Sequence, residues 1–232
     1  MNATAIIVAA GQGHRIGGST PKIFLPLCGR PMLLRTLDRF FSARAISNVV
    51  VVVAADQVGR AESMLQADAA LRNRPWALQI GGATRQESVR QGLERTGDGA
   101  DVVAIHDGAR PFVSPALIDR SVVAARDQGA AVVGLPVRDT IKIVARDRSI
   151  ETTPPRDSLW EVQTPQAFLR ELIVEAHEWA KREGIAATDD AMLVEKIGQR
   201  VFVLDGERTN IKITLSDDLW LAENLIRQGR IP

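Results

Sequence analysis

Unbroken apolar runs of strand length recur along the chain: Ala5 to Ala10 (AIIVAA), Val49 to Ala54 (VVVVVA), Asp101 to Ile105 (DVVAI) and Ala130 to Leu135 (AAVVGL). They are continuous and rich in β-branched residues, as strands buried on both faces are. Helical patterns separate them. Pro31 to Phe41 follows the turn at Gly29-Arg30, with Pro31 suited to the first helical position and Leu34, Leu37 and Phe41 forming a stripe toward a sheet. Thr84 and Glu87 form a capping box that opens a helix to about Arg95. Ser114-Pro115 opens another, with Leu117, Ile118, Val122 and Ala125 as its buried stripe. Strands alternating with helices predict an α/β fold with a three-layer, mostly parallel sheet. Ligands of such sheets bind beyond the carboxyl ends of the strands, here the loops after Ala10, Ile80 and Ile105.

The pattern changes after Pro136. From Val137 to Pro165 the text is short, charged and interrupted by Pro154-Pro155, and only Thr140 to Val144 alternates like a strand. The segment reads as a β-arm over about 137–160, projecting from a single domain that spans 1–232. Helices resume at about Phe168 to Glu183 and Thr188 to Ile197. Strands are expected at Arg200 to Leu204 and Ile211 to Thr214, then a last helix capped by Ser216 with Asp217 and Asp218 in its first turn.

Composition narrows the partners. A length of 232 residues suits one large domain, and 45% hydrophobic with 25% charged residues is ordinary globular usage. The formal net charge of +1 supplies no global field toward nucleic acid or anionic lipid, so any anion site is local. The lone cysteine, Cys28, rules out an internal disulfide framework and reads as a small buried hydrophobe. The N-terminus lacks the basic region of a signal peptide, and no run approaches the roughly 20 apolar residues of a membrane span, so a cytoplasmic location is expected.

The loop after the first strand holds the most chemistry. Ala9-Ala10-Gly11-Gln12-Gly13-His14-Arg15 is followed by Pro21-Lys22. Glycines let the backbone approach a ligand and aim N–H groups at it, and Arg15 and Lys22 add two cations, a set that suits a triphosphate. It is neither a GxGxxG dinucleotide fingerprint, since Ile16 stands at the third glycine, nor a P-loop, since no GK[ST] follows. By itself it also reads as a surface loop with two solvated cations.

Four further segments join this one: Gly81 to Val89 (GGATRQESV), His106 to Pro111 (HDGARP), Pro136 to Lys142 (PVRDTIK) and Asn210 to Thr214 (NIKIT). In this order, across nearly the whole chain, they resemble the 2-C-methyl-D-erythritol 4-phosphate cytidylyltransferase family of the sugar nucleotidyltransferases. The resemblance implies a Rossmann-like nucleotidyltransferase sheet and transfer of CMP from CTP to a small polyol phosphate in the non-mevalonate isoprenoid pathway. It implies that Arg15 and Lys22 are catalytic, holding the CTP phosphates. Ala9, Ala10, Gly11, Gly13, Gly81, Gly82 and Ser88 would form the nucleotide site. Asp107, Arg110, Thr140, Thr164, Thr188 and Lys212 would position the second substrate, and Arg156 would reach into the neighbouring subunit of a homodimer. Mg²⁺ would arrive with CTP, with Asp107 as the one candidate protein ligand and no dedicated cage. Ala83, where the family often has an acidic residue, and Ile23-Phe24 after Lys22 depart from the pattern. No nucleic-acid or membrane partner is implied.

The residues by themselves leave alternatives. Asp107 also suits the cap of a turn before Pro111, Arg110 a structural ion pair with Asp107, Thr188 a helix N-cap, and Thr140 and Arg156 solvated positions on an arm. Lys212, between Ile211 and Ile213, faces either solvent or a cleft. His106 reads as packed at a strand end and His177 as lying on a polar helix face. Ribitol 5-phosphate cytidylyltransferases carry most of the same motifs and are the nearest rival. A non-catalytic nucleotide-binding protein would need the glycines but not Arg15, Lys22 and Lys212 together.

Overall fold

A computed structural model describes residues 2–11, 20–97 and 99–231. In chain order its strands and helices are β1 (Ala3–Val8), β2 (Pro26–Leu27), β3 (Arg30–Pro31), α1 (Met32–Ser42), β4 (Ile46–Val53), α2 (Val58–Ala67), β5 (Trp76–Ile80), α3 (Arg85–Arg95), β6 (Val102–Asp107), α4 (Pro115–Gln128) and β7 (Ala130–Pro136). There follow β8 (Ile143–Val144), β9 (Ile150–Thr152), β10 (Trp160–Leu169), α5 (Arg170–Glu183), α6 (Asp190–Lys196), β11 (Phe202–Asp205) and α7 (Ser216–Arg227).

The main sheet runs β11-β7-β10-β6-β1-β4-β5. Strands β6, β1, β4 and β5 are parallel neighbours, as are β7 and β11, while β10 lies antiparallel between β6 and β7. Alternate residues of the β-branched runs serve opposite faces. Ile7, Val49, Val51 and Val53 meet Leu33, Leu37 and Phe40 of α1 and Leu117 and Ile118 of α4. Ile6, Val50, Val52 and Ile105 meet Val89 and Leu93 of α3 and Ile173 and Ala176 of α5. All five valines of Val49–Val53 are fully buried, each stabilising the fold by about 1.5–3 kcal/mol. Thus helices cover both faces and the fold is the three-layer, mostly parallel Rossmann-like one expected.

The caps follow the side chains. Thr84 and Glu87 close the expected capping box on α3, and Ser114 accepts from Leu117 N–H at the start of α4. Pro31 sits one position before α1, as its N-cap. Ser216 is the first residue of α7 rather than its cap. The N-cap position is Leu215, and Asp218, in the first turn, reaches back so that its Oδ2 accepts the backbone N–H groups of Thr214 and Leu215, each at 2.8 Å.

Three expectations change. Trp160–Leu169, read as the end of an arm and the start of a helix, is the central strand β10. Its pairing with β7 is irregular between Val162 and Gln166, where Pro165 interrupts it, and buried Gln163, Thr164 and Gln166 replace an apolar run. In the arm only Ile143–Val144 of the expected Thr140 to Val144 strand pairs, with Ile150–Thr152. Residues 211–214 form no strand: Ile213 is tied to Ala109 O by one backbone hydrogen bond of 2.9 Å and is buried in the cluster under α7.

Candidate active site

The strand order reverses direction around β1, with β4 on one side and β6 on the other, and the carboxyl ends of these strands open into a cavity of about 560 Å³. Three backbone hydrogen bonds stitch its floor: Ala9 N–H to Val52 O (2.7 Å), Gly81 N–H to Val53 O (2.8 Å) and Gly108 N–H to Val8 O (2.9 Å). Val8 to Gly11 form one wall, and Gly82 to Arg85 with Ser88 form another. Ser88 Oγ donates to Thr84 O (2.8 Å) and accepts from Gly82 N–H (3.2 Å), which holds the Gly81-Gly82 turn on the first turn of α3. A Cβ at Gly81 would lie 2.7 Å from both Ala10 Cβ and Ser88 Oγ, so only glycine lets the two walls approach this closely.

The third wall is charged. Asp107 ends β6 and is the one carboxylate on the cavity wall among the described residues. Its Oδ2 pairs with Lys212 Nζ at 2.8 Å, its Oδ1 with Arg85 Nε at 3.3 Å, and Arg110 Nε lies 3.7 Å away. Burial alone would raise the Asp107 carboxyl, but Lys212, Arg85 and Arg110 hold it well below the usual carboxylate range. Lys22 stands on the same rim and donates from Nζ to Ile213 O at 3.1 Å.

Behind Asp107, His106 and Thr164 are fully committed. His106 Nε2 lies 3.0 Å from Arg110 O, which can only accept, so Nε2 carries the proton and Nδ1 accepts from Thr164 Oγ1 at 3.0 Å. Thr164 Oγ1 in turn accepts the Asp107 N–H at 3.1 Å. Burial pushes His106 down to about 4, which keeps the ring neutral. Arg110 donates to Asn210 O at 2.8 Å and is largely buried.

The structure therefore gathers Ala9, Ala10, Gly11, Lys22, Gly82, Ser88, Asp107 and Lys212 on one cavity. Gly13 and Arg15 lie outside the described residues. Gly81 and Arg110 support the walls from behind. Thr164 is buried behind Asp107, off the cavity wall, where its hydroxyl donates to His106 Nδ1 and accepts the Asp107 N–H. Thr188 does not cap α6; Asp189 does, accepting from Met192 N–H at 3.0 Å, and Thr188 is exposed off the cavity wall. Thr140 and Arg156 are exposed on the arm, off this chain's own cavity, and Arg156 donates to Arg138 O at 2.9 Å. His177 is buried rather than on a polar face, and Cys28 is exposed rather than buried. Arg85 received no role from the sequence, although it stands inside the GGATRQESV segment; its position one residue after a helix cap, at the carboxyl end of β5, was the available signal.

The profile of the family described as "IspD: 2-C-methyl-D-erythritol 4-phosphate cytidylyltransferase" matches residues 3–228. The chain belongs to this family. Family relatives of the same description include one from Caldanaerobacter subterraneus subsp. tengcongensis, 40% identical over 98% of this chain and 100% of its own length. Another, from Bacillus pumilus, is 42% identical over 97% of each chain. Among solved family structures, the 4-diphosphocytidyl-2C-methyl-D-erythritol synthase of Anaerococcus prevotii superposes with a TM-score of 0.86 at 31% identity, covering 97% of this chain and 96% of its own. The 2-C-methyl-D-erythritol 4-phosphate cytidylyltransferase of Thermus thermophilus gives 0.79 at 37% identity, covering 98% and 100%. In this family member, among the described residues, no three His, Cys, Asp or Glu side chains converge on one point. The donor set suits a hard cation carried in on phosphate oxygens, with the Asp107 carboxylate the single acidic group on the wall.

Proposed function

We propose that this chain transfers CMP from CTP to 2-C-methyl-D-erythritol 4-phosphate, giving 4-diphosphocytidyl-2-C-methyl-D-erythritol and pyrophosphate. The observation that carries this reading is the charged wall. Lys212, Arg85 and Arg110 surround Asp107, and Lys212 and Arg85 share one cavity with Lys22 and with a glycine-rich backbone cradle at the sheet's switch point. Two anions must meet there, and cations with backbone N–H groups offset their repulsion.

A phosphate oxygen of the polyol phosphate attacks the α-phosphorus of CTP, the bond from that phosphorus to the α–β bridging oxygen breaks, and pyrophosphate leaves with the electron pair. The attacking phosphate has a second pKa of about 6 and is already ionised, so no general base is needed. Neutral His106, with both ring nitrogens engaged, is not used as one. The backbone from Ala9 to Gly13, with Gly81, Gly82 and Ser88, holds the nucleoside; Arg15 and Lys22 hold the triphosphate; Lys212, steered by Asp107, receives the polyol phosphate. Mg²⁺ bound to the triphosphate, with Asp107 in reach, would neutralise part of its charge.

The reading extends to a homodimer. In a second copy's site Arg156 and Thr140 complete the pocket, a role that suits their exposure on an arm whose Ile143 and Ile150 are 48% and 60% exposed. A single domain and a cytoplasmic location go with it; no described helix is long and apolar enough to cross a membrane. The test is pyrophosphate release from CTP and Mg²⁺ with methylerythritol 4-phosphate and ribitol 5-phosphate side by side. Turnover is expected with the first, and a drop in kcat/KM of about 10²–10³ in Lys212→Ala. Turnover only with ribitol 5-phosphate would replace the substrate, and none with either would sink the reading.

A further inference from the structure

The charged wall has a second row behind it. Arg85 uses Nε on Asp107 and its NH1 group on Asp190, at 2.8 Å. Asp190 opens α6, and its other oxygen lies 3.1 Å from His177 Nε2, on α5. Both Asp190 and His177 are 1% exposed. His177 Nδ1 is buried and makes no hydrogen bond among the described residues. An ionised carboxylate can only accept, so His177 Nε2 donates to Asp190. The backbone that carries Asp190 is pinned: its N–H donates to Gln166 Oε1 (3.1 Å), and Gln166 Nε2 donates to Asp189 (2.8 Å).

Burying an ionised carboxylate is costly, and apolar residues of similar volume would close this space at least as stably. What the buried pair adds is direction. A guanidinium shared by two carboxylates is held between them; with one removed, it turns fully onto the other. Loss of the Asp190 charge would thus swing Arg85 onto Asp107 and draw Asp107 away from Lys212.

We propose that Asp190 and His177 are positioning residues for the second substrate, acting through Arg85 to fix the Asp107–Lys212 pair at the angle that receives the polyol phosphate. This rests on the function proposed above. The row ends on Asp107 and Lys212, not on the glycine cradle from Ala9 to Gly11, so its loss should spare CTP.

Asp190→Asn, His177→Phe and His177→Gln are compared with wild type. Initial rates with each substrate varied, CTP affinity by calorimetry without the second substrate, and the Arg85 Nε–H resonance of the free protein are measured. Asp190→Asn and His177→Phe are expected to raise KM for the polyol phosphate or lower kcat by about tenfold, the weight of one charge-assisted hydrogen bond, with the CTP Kd within about twofold. His177→Gln restores an N–H donor and should stay within about threefold of wild type. Wild-type kinetics in folded Asp190→Asn, equal loss of CTP binding, or no difference between His177→Phe and His177→Gln would overturn the proposal. So would an Arg85 resonance unmoved by Asp190→Asn, a readout independent of turnover. A wild type that releases no pyrophosphate overturns the functional reading instead, and with it the relay's catalytic role.

Discussion

His106 and Asp107 are adjacent, both buried, and held in opposite states of charge. The ring is neutral because burial outweighs its hydrogen bonds, and the carboxylate is ionised because three cations outweigh burial. The consequence is a pH dependence of stability. With His106 depressed to about 4 in the fold and near 6.5 when unfolded, the unfolded chain binds more protons between those values. Stability is therefore full above about pH 6.5 and is lost as pH falls toward 4. Asp107 and Asp190 are depressed too, so their contribution is present above the ordinary carboxylate range and is lost only as pH falls below it. Urea denaturation of wild type should show a loss on the order of 2 kcal/mol between pH 6.5 and 5, much reduced in His106→Gln. A flat wild-type profile over that interval would show that His106 is not held neutral. At this scale the sequence pointed to Lys212 through the NIKIT segment of the ordered motifs, while its neighbours Ile211 and Ile213 left solvent or a cleft open. It did not reveal Asp190 or His177, because a buried ion pair and a solvated one look alike in a string of letters.

Helix α3 shows how an element can depend on an absent side chain. Gly92 lies on its buried face, where a Cβ would stand 2.7 Å from Ile6 Cγ2 and 3.1 Å from Val52 Cγ2. Both neighbours are β-branched and fully buried on central strands, so they cannot swing aside. Alanine would gain about 1 kcal/mol of helix propensity but meet a clash costing about 1–3 kcal/mol. Gly92→Ala should therefore lower the denaturant midpoint; a rise would show that α3 can lift off the sheet freely. The capping box of α3 and the buried stripe of α4 were legible because they depend on neighbours three or four residues away. Strand β10 was not. Its Gln163-Thr164-Pro165-Gln166 core is polar and interrupted, and only its partners explain it: Gln163 donates to Glu207 O (3.0 Å), and Gln166 anchors the start of α6.

For the whole molecule, the proposed dimer makes the arm part of an active site rather than an appendage. Sedimentation should give twice the 25.2 kDa of the chain. Ile143→Asp with Ile150→Asp, on the exposed β8–β9 hairpin, should shift it toward monomer and reduce turnover, while CTP binding persists. Arg156→Ala should keep the dimer and raise KM for the polyol phosphate. A fully active monomer would remove the partner's Arg156 and Thr140 from the site.

The sequence by itself determined the parallel core, most helix boundaries and the family, because each depends on local periodicity, local capping or an ordered string of motifs. It also named most residues of the cavity wall. Only the tertiary structure decided that Thr164 serves Asp107 from behind and that Arg85 is shared between Asp107 and Asp190. The same holds for β10, which completes the sheet against its own local pattern. These contacts join residues from 22 to 105 positions apart. A hydroxyl, a guanidinium or a proline carries no local mark of which distant partner will meet it once the sheet closes.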